Sequence, residues 1–177
     1  MTIYRFFLQV SVVLATLILL VPGAGPAKAS DPGVTITIPT IEIDAPVVDV
    51  HVRRISARET TWDVSALRQE VGYFVGTANI GEGGNTVLGA HSELARRTPS
   101  VFYRLEELQP GDEIYLQRDG TTYIYVVTEV YTVPREDLRP IMPTLDERLT
   151  LITCDIHSFQ GGFDYADRTI VIATRIG

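Results

Sequence analysis

From Val34 onward the chain alternates. Short runs rich in Val, Ile, Thr and Tyr repeat with a period of two, separated by turn residues. Such alternation sends successive side chains to opposite faces of a strand and gives a helix no continuous apolar stripe. We read strands near 34–38, 46–54, 85–90, 112–117, 121–132, 149–154 and 168–176. Gly81-Glu82-Gly83-Gly84 forms a turn before the third, and Arg118-Asp119-Gly120 closes a hairpin between Ile114-Tyr115-Leu116 and Tyr123-Ile124-Tyr125. Short helical turns fit 63–70, 100–108 and 134–138, with Ser100 in a capping position for the second. Many short strands and few helices point to a mainly β domain. A closed barrel of about eight strands is favoured over a sandwich, because closure removes exposed edges. Periodicity alone does not separate the two.

Ahead of the domain lies a different kind of segment. Phe6–Val21 reads FFLQVSVVLATLILLV, with Arg5 before it and Pro22, Gly23, Gly25 and Pro26 after it. Its 16 residues fall a little short of a spanning helix, which needs ~20, unless Ile3 and Tyr4 extend it. Ala27-Lys28-Ala29 has the form of a cleavage site. Residues 1–21 are therefore expected to be a hydrophobic helix acting as a membrane anchor, or else a secretory signal. Residues 22–33 form a Pro/Gly/Ala/Ser linker, and 34–177 are the folded domain. Either reading puts that domain outside the cell membrane.

The formal charge of −7 gives a nucleic-acid partner no electrostatic support. A single cysteine, Cys154, excludes an internal disulfide and leaves two readings, a buried small hydrophobe or a thiol kept for chemistry. Three scattered histidines and one cysteine offer no metal-ligand spacing, so neither a metal nor a cofactor is expected. Glu106 and Glu107 read as a solvated acidic face rather than a calcium site. Fourteen of the fifteen basic residues are arginine, and the only lysine, Lys28, precedes the domain.

The chemistry concentrates in the last forty residues. Thr150-Leu151-Ile152-Thr153-Cys154 is a β-branched strand ending on a thiol. A polar connection, 155–167, follows, and Arg168 then opens the apolar strand RTIVIATRI. Adjacent strands joined at that end bring Cys154 and Arg168 to one rim, with Arg168 sharing a face with Ile170 and Ile172. A guanidinium beside a thiol favours the thiolate and would stabilise an oxyanion made by its attack on a carbonyl. The thiol also needs a proton-transfer partner. His51 alternates with Asp49 and Arg53 and is expected to face solvent. His157 lies three residues past the thiol, while His91 ends the strand NTVLGA where a loop begins; on these grounds the two weigh equally. The 155–167 connection, with Gly161-Gly162, is a candidate mobile wall for a peptide groove.

Three features together resemble the sortases. They are the TLxTC-like run Thr150–Cys154, the order His91, Cys154, Arg168, and the stretch GEGGNTVLGAHS followed by VFYRLEELQPGDEIYL. The resemblance covers roughly 34–177 and implies a sortase-like β-barrel. It also implies a cysteine transpeptidase, grouped with the thiol peptidases among hydrolases, that cleaves an LPxTG-like sorting signal of a surface protein. The thioacyl intermediate would then pass to an amine of the cell envelope, such as a peptidoglycan precursor. On this resemblance Cys154 is the nucleophile, His91 exchanges protons with leaving and incoming amines, and Arg168 holds the substrate and its oxyanion. Thr153, Ser92 and Tyr165 would contact the substrate, Thr153 mainly through its backbone. Ala90-His91-Ser92 lacks the basic residue that often follows the histidine, and Asp31-Pro32-Gly33 lacks the aromatic lid of pilus-building members. The resemblance therefore implies a class D, E or F-like enzyme. A thiol hydrolase on the same scaffold and a non-catalytic exported binding barrel are the alternatives.

Overall fold

In the computed structural model, which describes residues 33–56, 60–162 and 164–177, the alternating segments close into a barrel. The N-terminal apolar run and nearly all of the 22–33 linker lie outside the described residues. Eight strands form the wall: β1 Val34–Ile38, β2 Ile43–Val50, β3 Val71–Phe74, β4 Asn85–Gly89, β5 Glu113–Arg118, β6 Thr121–Pro134, β7 Arg148–Cys154 and β8 Asp167–Arg175. Their order around the barrel is β1-β2-β3-β4-β7-β8-β6-β5, with β5 pairing back onto β1. Two neighbouring pairs, β2–β3 and β4–β7, are parallel and the others antiparallel.

Strand periodicity sorts the side chains into two cores. Ile36, Ile38, Leu88, Leu116, Leu149, Leu151 and Val171 point inward, where Phe102, Leu105 and Leu108 from the segment beyond His91 join them. Each such side chain taken fully out of water contributes on the order of 1.5–3 kcal/mol before chain entropy is counted. The second core lies on the outer face. A parallel β2–β3 pair needs a long crossover, and residues 51–70 supply it, bringing Trp62, Val64 and Leu67 onto Val50, Phe74 and Val87. Trp62 stacks on Phe74 with ring centroids 4.9 Å apart, and its indole N–H donates to the Val75 carbonyl at 3.1 Å.

Two cross-strand glycines, Gly72 and Gly89, make room for this outer core. A Cβ on Gly89 would lie 2.6 Å from Phe74 Cζ, and one on Gly72 would lie 2.5 Å from Val50 Cγ2.

The expected eight-stranded, mainly β barrel with short helical turns is what the chain forms. Four details differ from the sequence reading. Strand β3 was not expected. The expected strand 46–54 divides at His51: its first part extends back to Ile43 in the barrel, and Val52–Arg54 pairs separately with Thr60–Trp62. The expected helical turn at 134–138 lies instead at Arg139–Ile141, because β6 runs on to Pro134 opposite Asp167. The other two turns narrow to single 3-10 turns at Val64–Ala66 and Leu105–Glu107.

Candidate active site

Cys154 and Arg168 are direct cross-strand partners, the last pair of the β7–β8 ladder. Directly opposed residues share a sheet face, and here that face is the outer one, with Ile152, Ile170 and Ile172 on the same side. The expected alignment of Arg168 with Ile170 and Ile172 is therefore what β8 adopts.

The third residue arrives along β4. Gly89 pairs with Ile152 in the parallel β4–β7 ladder. Beyond it Ala90 stays beside β7: its N–H donates to the Ile152 carbonyl at 3.4 Å, and its own carbonyl accepts the Thr153 hydroxyl at 2.8 Å. His91 thereby follows at the end of β4, two residues past Gly89, beside the end of β7 where Cys154 and Arg168 pair. The imidazole is fixed from the other side by the outer core, since Nε2 lies 3.0 Å from the Val64 carbonyl. A carbonyl can only accept, so Nε2 carries the hydrogen and Nδ1 is left as the basic nitrogen.

Burial sets the resting charges. It pushes the Cys154 thiol above its ordinary range; Arg168 pulls it partly back and Glu93 pushes it up again. Burial also holds His91 below the usual imidazole value, opposed by the Val64 bond and reinforced by Arg68. Thiol and imidazole therefore rest neutral at neutral pH. Arg168 is held by one nitrogen: Nη1 donates to the carbonyls of Tyr165 at 3.0 Å and Asp167 at 2.9 Å. Nε and Nη2 have no hydrogen-bond acceptor among the described residues, which leaves them for an oxyanion beside the thiol.

The structure separates the other sequence candidates. His157 does not approach the thiol; its ring turns outward and pairs with Glu106 at 2.9 Å, while the Asp155 carboxylate accepts the His157 N–H. His51 is exposed, as expected. Thr153 is buried, its hydroxyl donating to the Ala90 carbonyl. Ser92 and Tyr165, expected to touch substrate, are only 2% and 6% exposed, so their side chains are not groove surface. The Ser92 carbonyl accepts the Ser100 N–H at 2.9 Å, and its buried hydroxyl has no partner among the described residues. The Tyr165 hydroxyl donates to Glu93 at 2.6 Å. Glu106 and Glu107 are both exposed, as expected of a solvated face; Glu107 pairs with Arg104, and ligand atoms of Glu106, Asp155 and His157 lie within 4.8 Å of one another.

Sequence reasoning missed Glu93. A carboxylate two residues past a histidine in HSELARR reads as surface, yet its side chain is 3% exposed and also receives Arg97 Nε at 3.3 Å. Arg96 and Arg97 both hold positive φ, 61° and 58°, a conformation costing non-glycine residues about 1–3 kcal/mol each. Arg97 then lies over the Phe159 ring, 4.5 Å from its centroid.

Along the same outer face, Tyr131, Val133, Asp137, Arg139, Pro140 and Arg148 line a cleft of about 330 Å³. Tyr131 and Val133 come from β6, the neighbour of β8, and Arg148 from β7, the strand that ends on Cys154. The wall of the cleft, the 139–142 turn, is tied down by Asn85, whose amide donates to the carbonyls of Pro140 and Met142 at 2.9 Å each. Arg148 donates to the same Pro140 carbonyl at 2.8 Å.

Comparison with known proteins gives one consistent family. A family model described as the sortase domain matches residues 36–176. Over 76 residues the chain is 36% identical to a sortase A of Listeria monocytogenes, a stretch covering 43% of this chain and 33% of that protein. Sortase A from Corynebacterium diphtheriae superposes with a TM-score of 0.64 at 28% identity, covering 85% of this chain and 63% of that one. A sortase D5 transpeptidase from Clostridium perfringens gives 0.60 at 25% identity, covering 81% and 78%. The matched region is thus a third of the curated relative and less than two thirds of the Corynebacterium chain.

Proposed function

The chain belongs to the sortase family, and we propose that it is a cysteine transpeptidase whose nucleophile, proton carrier and oxyanion holder are Cys154, His91 and Arg168. The observation that supports this reading is the placement: Cys154 and Arg168 pair at the end of the β7–β8 ladder, and His91 follows two residues after Gly89, the last residue of β4 paired with β7. The thiol passes its proton to Nδ1 of His91, giving a thiolate and an imidazolium. Because the thiol is held high and the imidazole low, this ion pair is a minor state, drawn off by the reaction that consumes it.

The thiolate attacks the carbonyl carbon of a peptide bond, and charge develops on the oxygen. Nε and Nη2 of Arg168 are the donors for that charge, and their orientation is set before reaction by the two carbonyls on Nη1. Collapse of the adduct breaks the C–N bond, and the imidazolium delivers its proton to the departing amine. An incoming amine then attacks the thioester, loses a proton to His91 and expels the thiolate, which leaves a new amide.

As substrate we infer a C-terminal LPxTG-like sorting signal, and as acceptor an amine of the cell envelope. The chain reads as class D, E or F-like rather than pilus-building, on the Asp31-Pro32-Gly33 sequence and the serine after His91. The folded domain faces outward, held at the membrane by residues 1–21. External protease treatment of intact cells should reach it; full protection would overturn that placement.

Mass spectrometry tests the reaction. The purified chain is incubated with a panel of LPxTG-like peptides and triglycine, alongside Cys154→Ala. A ligated product that the variant does not form is expected. Cleavage without ligation for every amine tried would replace transpeptidation by hydrolysis. No product at all, with a thiol that resists alkylation, would remove the catalytic reading.

A further inference from the structure

The reaction above uses Arg168 but does not explain what holds it. Both acceptors of Nη1 are backbone carbonyls, and the Tyr165 carbonyl belongs to the connection that links β7 to β8. That residue is anchored through its own side chain. Its hydroxyl donates to Glu93 Oε2 at 2.6 Å, across 72 positions of sequence, in a buried contact. Glu93 in turn lies two residues beyond His91, on the segment that Thr153 ties to β7.

Burying a carboxylate beside a nucleophilic thiol works against the thiolate. The chain nonetheless places Glu93 there and supports it from the far side. Arg97, held at positive φ, reaches its second oxygen and covers Phe159, which packs on Tyr165 with centroids 5.3 Å apart. The contacts of these four side chains all converge on Tyr165 and Glu93.

We infer that Glu93 and Tyr165 are positioning residues: their buried hydrogen bond joins the segment carrying His91 to the connection leading into Arg168 and holds the guanidinium beside the thiol. The inference rests on the transpeptidase reading for its meaning in turnover, but not for its physical test. Neither residue touches the reacting atoms. The charged and titratable groups that act on Cys154 are Arg168 from β8, Glu93 from the segment after β4, and Tyr165 from the 155–167 connection, with Arg97 behind Glu93 and His91 earlier on the same segment.

The test reads the guanidinium through the thiol. Cys154 is alkylated with iodoacetate, an anion, and with neutral iodoacetamide, and the rate ratio reports positive charge at the sulfur. Arg168→Gln should lower the ratio about five-fold, as expected for one unit charge at about 4 Å in water-like screening. Tyr165→Phe keeps the ring and loses only the hydroxyl. Its ratio should fall to within about two-fold of Arg168→Gln, and ligation kcat should drop about ten-fold with KM nearly unchanged, as for a misplaced group.

Glu93→Gln keeps an oxygen for the Tyr165 hydroxyl, so its ratio should not fall below that of the wild type. Glu93→Met, equally uncharged but without the acceptor, should lose more kcat than Glu93→Gln. That pair of variants also decides the matter should Tyr165→Phe not fold. A wild-type ratio and kcat in Tyr165→Phe, or equal losses in Glu93→Gln and Glu93→Met, would overturn the inference. The alkylation ratio needs no peptide, so absence of ligation by the wild type would count against the transpeptidase reading alone.

Discussion

Gly89→Ala is the sharpest small perturbation the structure offers. The new methyl would sit 2.6 Å and 2.8 Å from two carbons of the Phe74 ring and 3.3 Å from Ile152 Cγ2. Carbon atoms rest at about 3.5–4.0 Å, so the ring edge must retreat by about 1 Å. It cannot retreat freely, because Trp62 is stacked on it and pinned by the Val75 carbonyl. One methyl too many in a packed site costs about 1–3 kcal/mol, offset by about 0.5–1 kcal/mol for replacing a glycine inside a strand. The expected net loss is about 1–2 kcal/mol, or roughly 3–8 °C in melting temperature for a domain of this size.

The same displacement should reach the chemistry. Val64, which fixes His91, packs in the same outer core as Phe74, and a misplacement of about 1 Å there should lower kcat/KM for ligation by about 100-fold. Thermal unfolding and single-turnover ligation measure the two effects. Phe74→Leu should partly rescue Gly89→Ala, with a double variant about 1 kcal/mol more stable than additivity allows. A Gly89→Ala protein that melts with the wild type and ligates at its rate would refute the steric argument. So would strict additivity with Phe74→Leu.

Three further outcomes follow from the site. Arg168→Lys should lower kcat about 100-fold, the scale of losing an oxyanion donor, because one ammonium cannot satisfy two carbonyls and still face the thiol; steady-state ligation kinetics with an unchanged rate would contradict this. His91 binds its proton more weakly in the folded chain than when unfolded, so the unfolded state takes up more protons and stability falls as pH drops through about 6.5. His91→Asn should flatten that part of the urea-stability profile relative to wild type, leaving the opposite slope expected of His157, whose pKa Glu106 raises; an unchanged slope would exclude His91 as its source. Asn85→Ala should destabilise by about 1–3 kcal/mol through lost buried hydrogen bonds and raise KM for the peptide more than it lowers kcat, since the 139–142 turn walls the outer cleft; an unaltered KM would detach that turn from substrate binding.

The barrel was legible in the sequence wherever a strand could show both of its faces. β5 and β6 announce themselves through alternation around Arg118-Asp119-Gly120. β7 and β8 follow each other with one connection, so the pairing of Cys154 with Arg168 could be anticipated from order alone. β3 escaped because Gly72 has no side chain with which to alternate, its Cβ position being taken by Val50 and Leu67. His91 could not be told from His157 by local reading. The choice depends on β4 lying parallel to β7, a pairing of residues far apart in sequence that no neighbouring residue signals. Tyr165 and Ser92 were expected to contact substrate, yet both are buried. The tyrosine is drawn inward instead by an acceptor, Glu93, whose burial no local pattern reveals.

The barrel strand that comes last in the sequence does not lie at a margin of the sheet. β8 inserts between β7 and β6 and pairs with both along nearly its whole length. As the chain is synthesised, the thiol on β7 therefore emerges before the guanidinium that will stand opposite it. No intermediate lacking β8 can bring the two together. On the transpeptidase reading proposed above, a partly made chain thus carries a cysteine with no guanidinium opposite it, and reactivity toward peptides would arrive only with the strand that seals the wall.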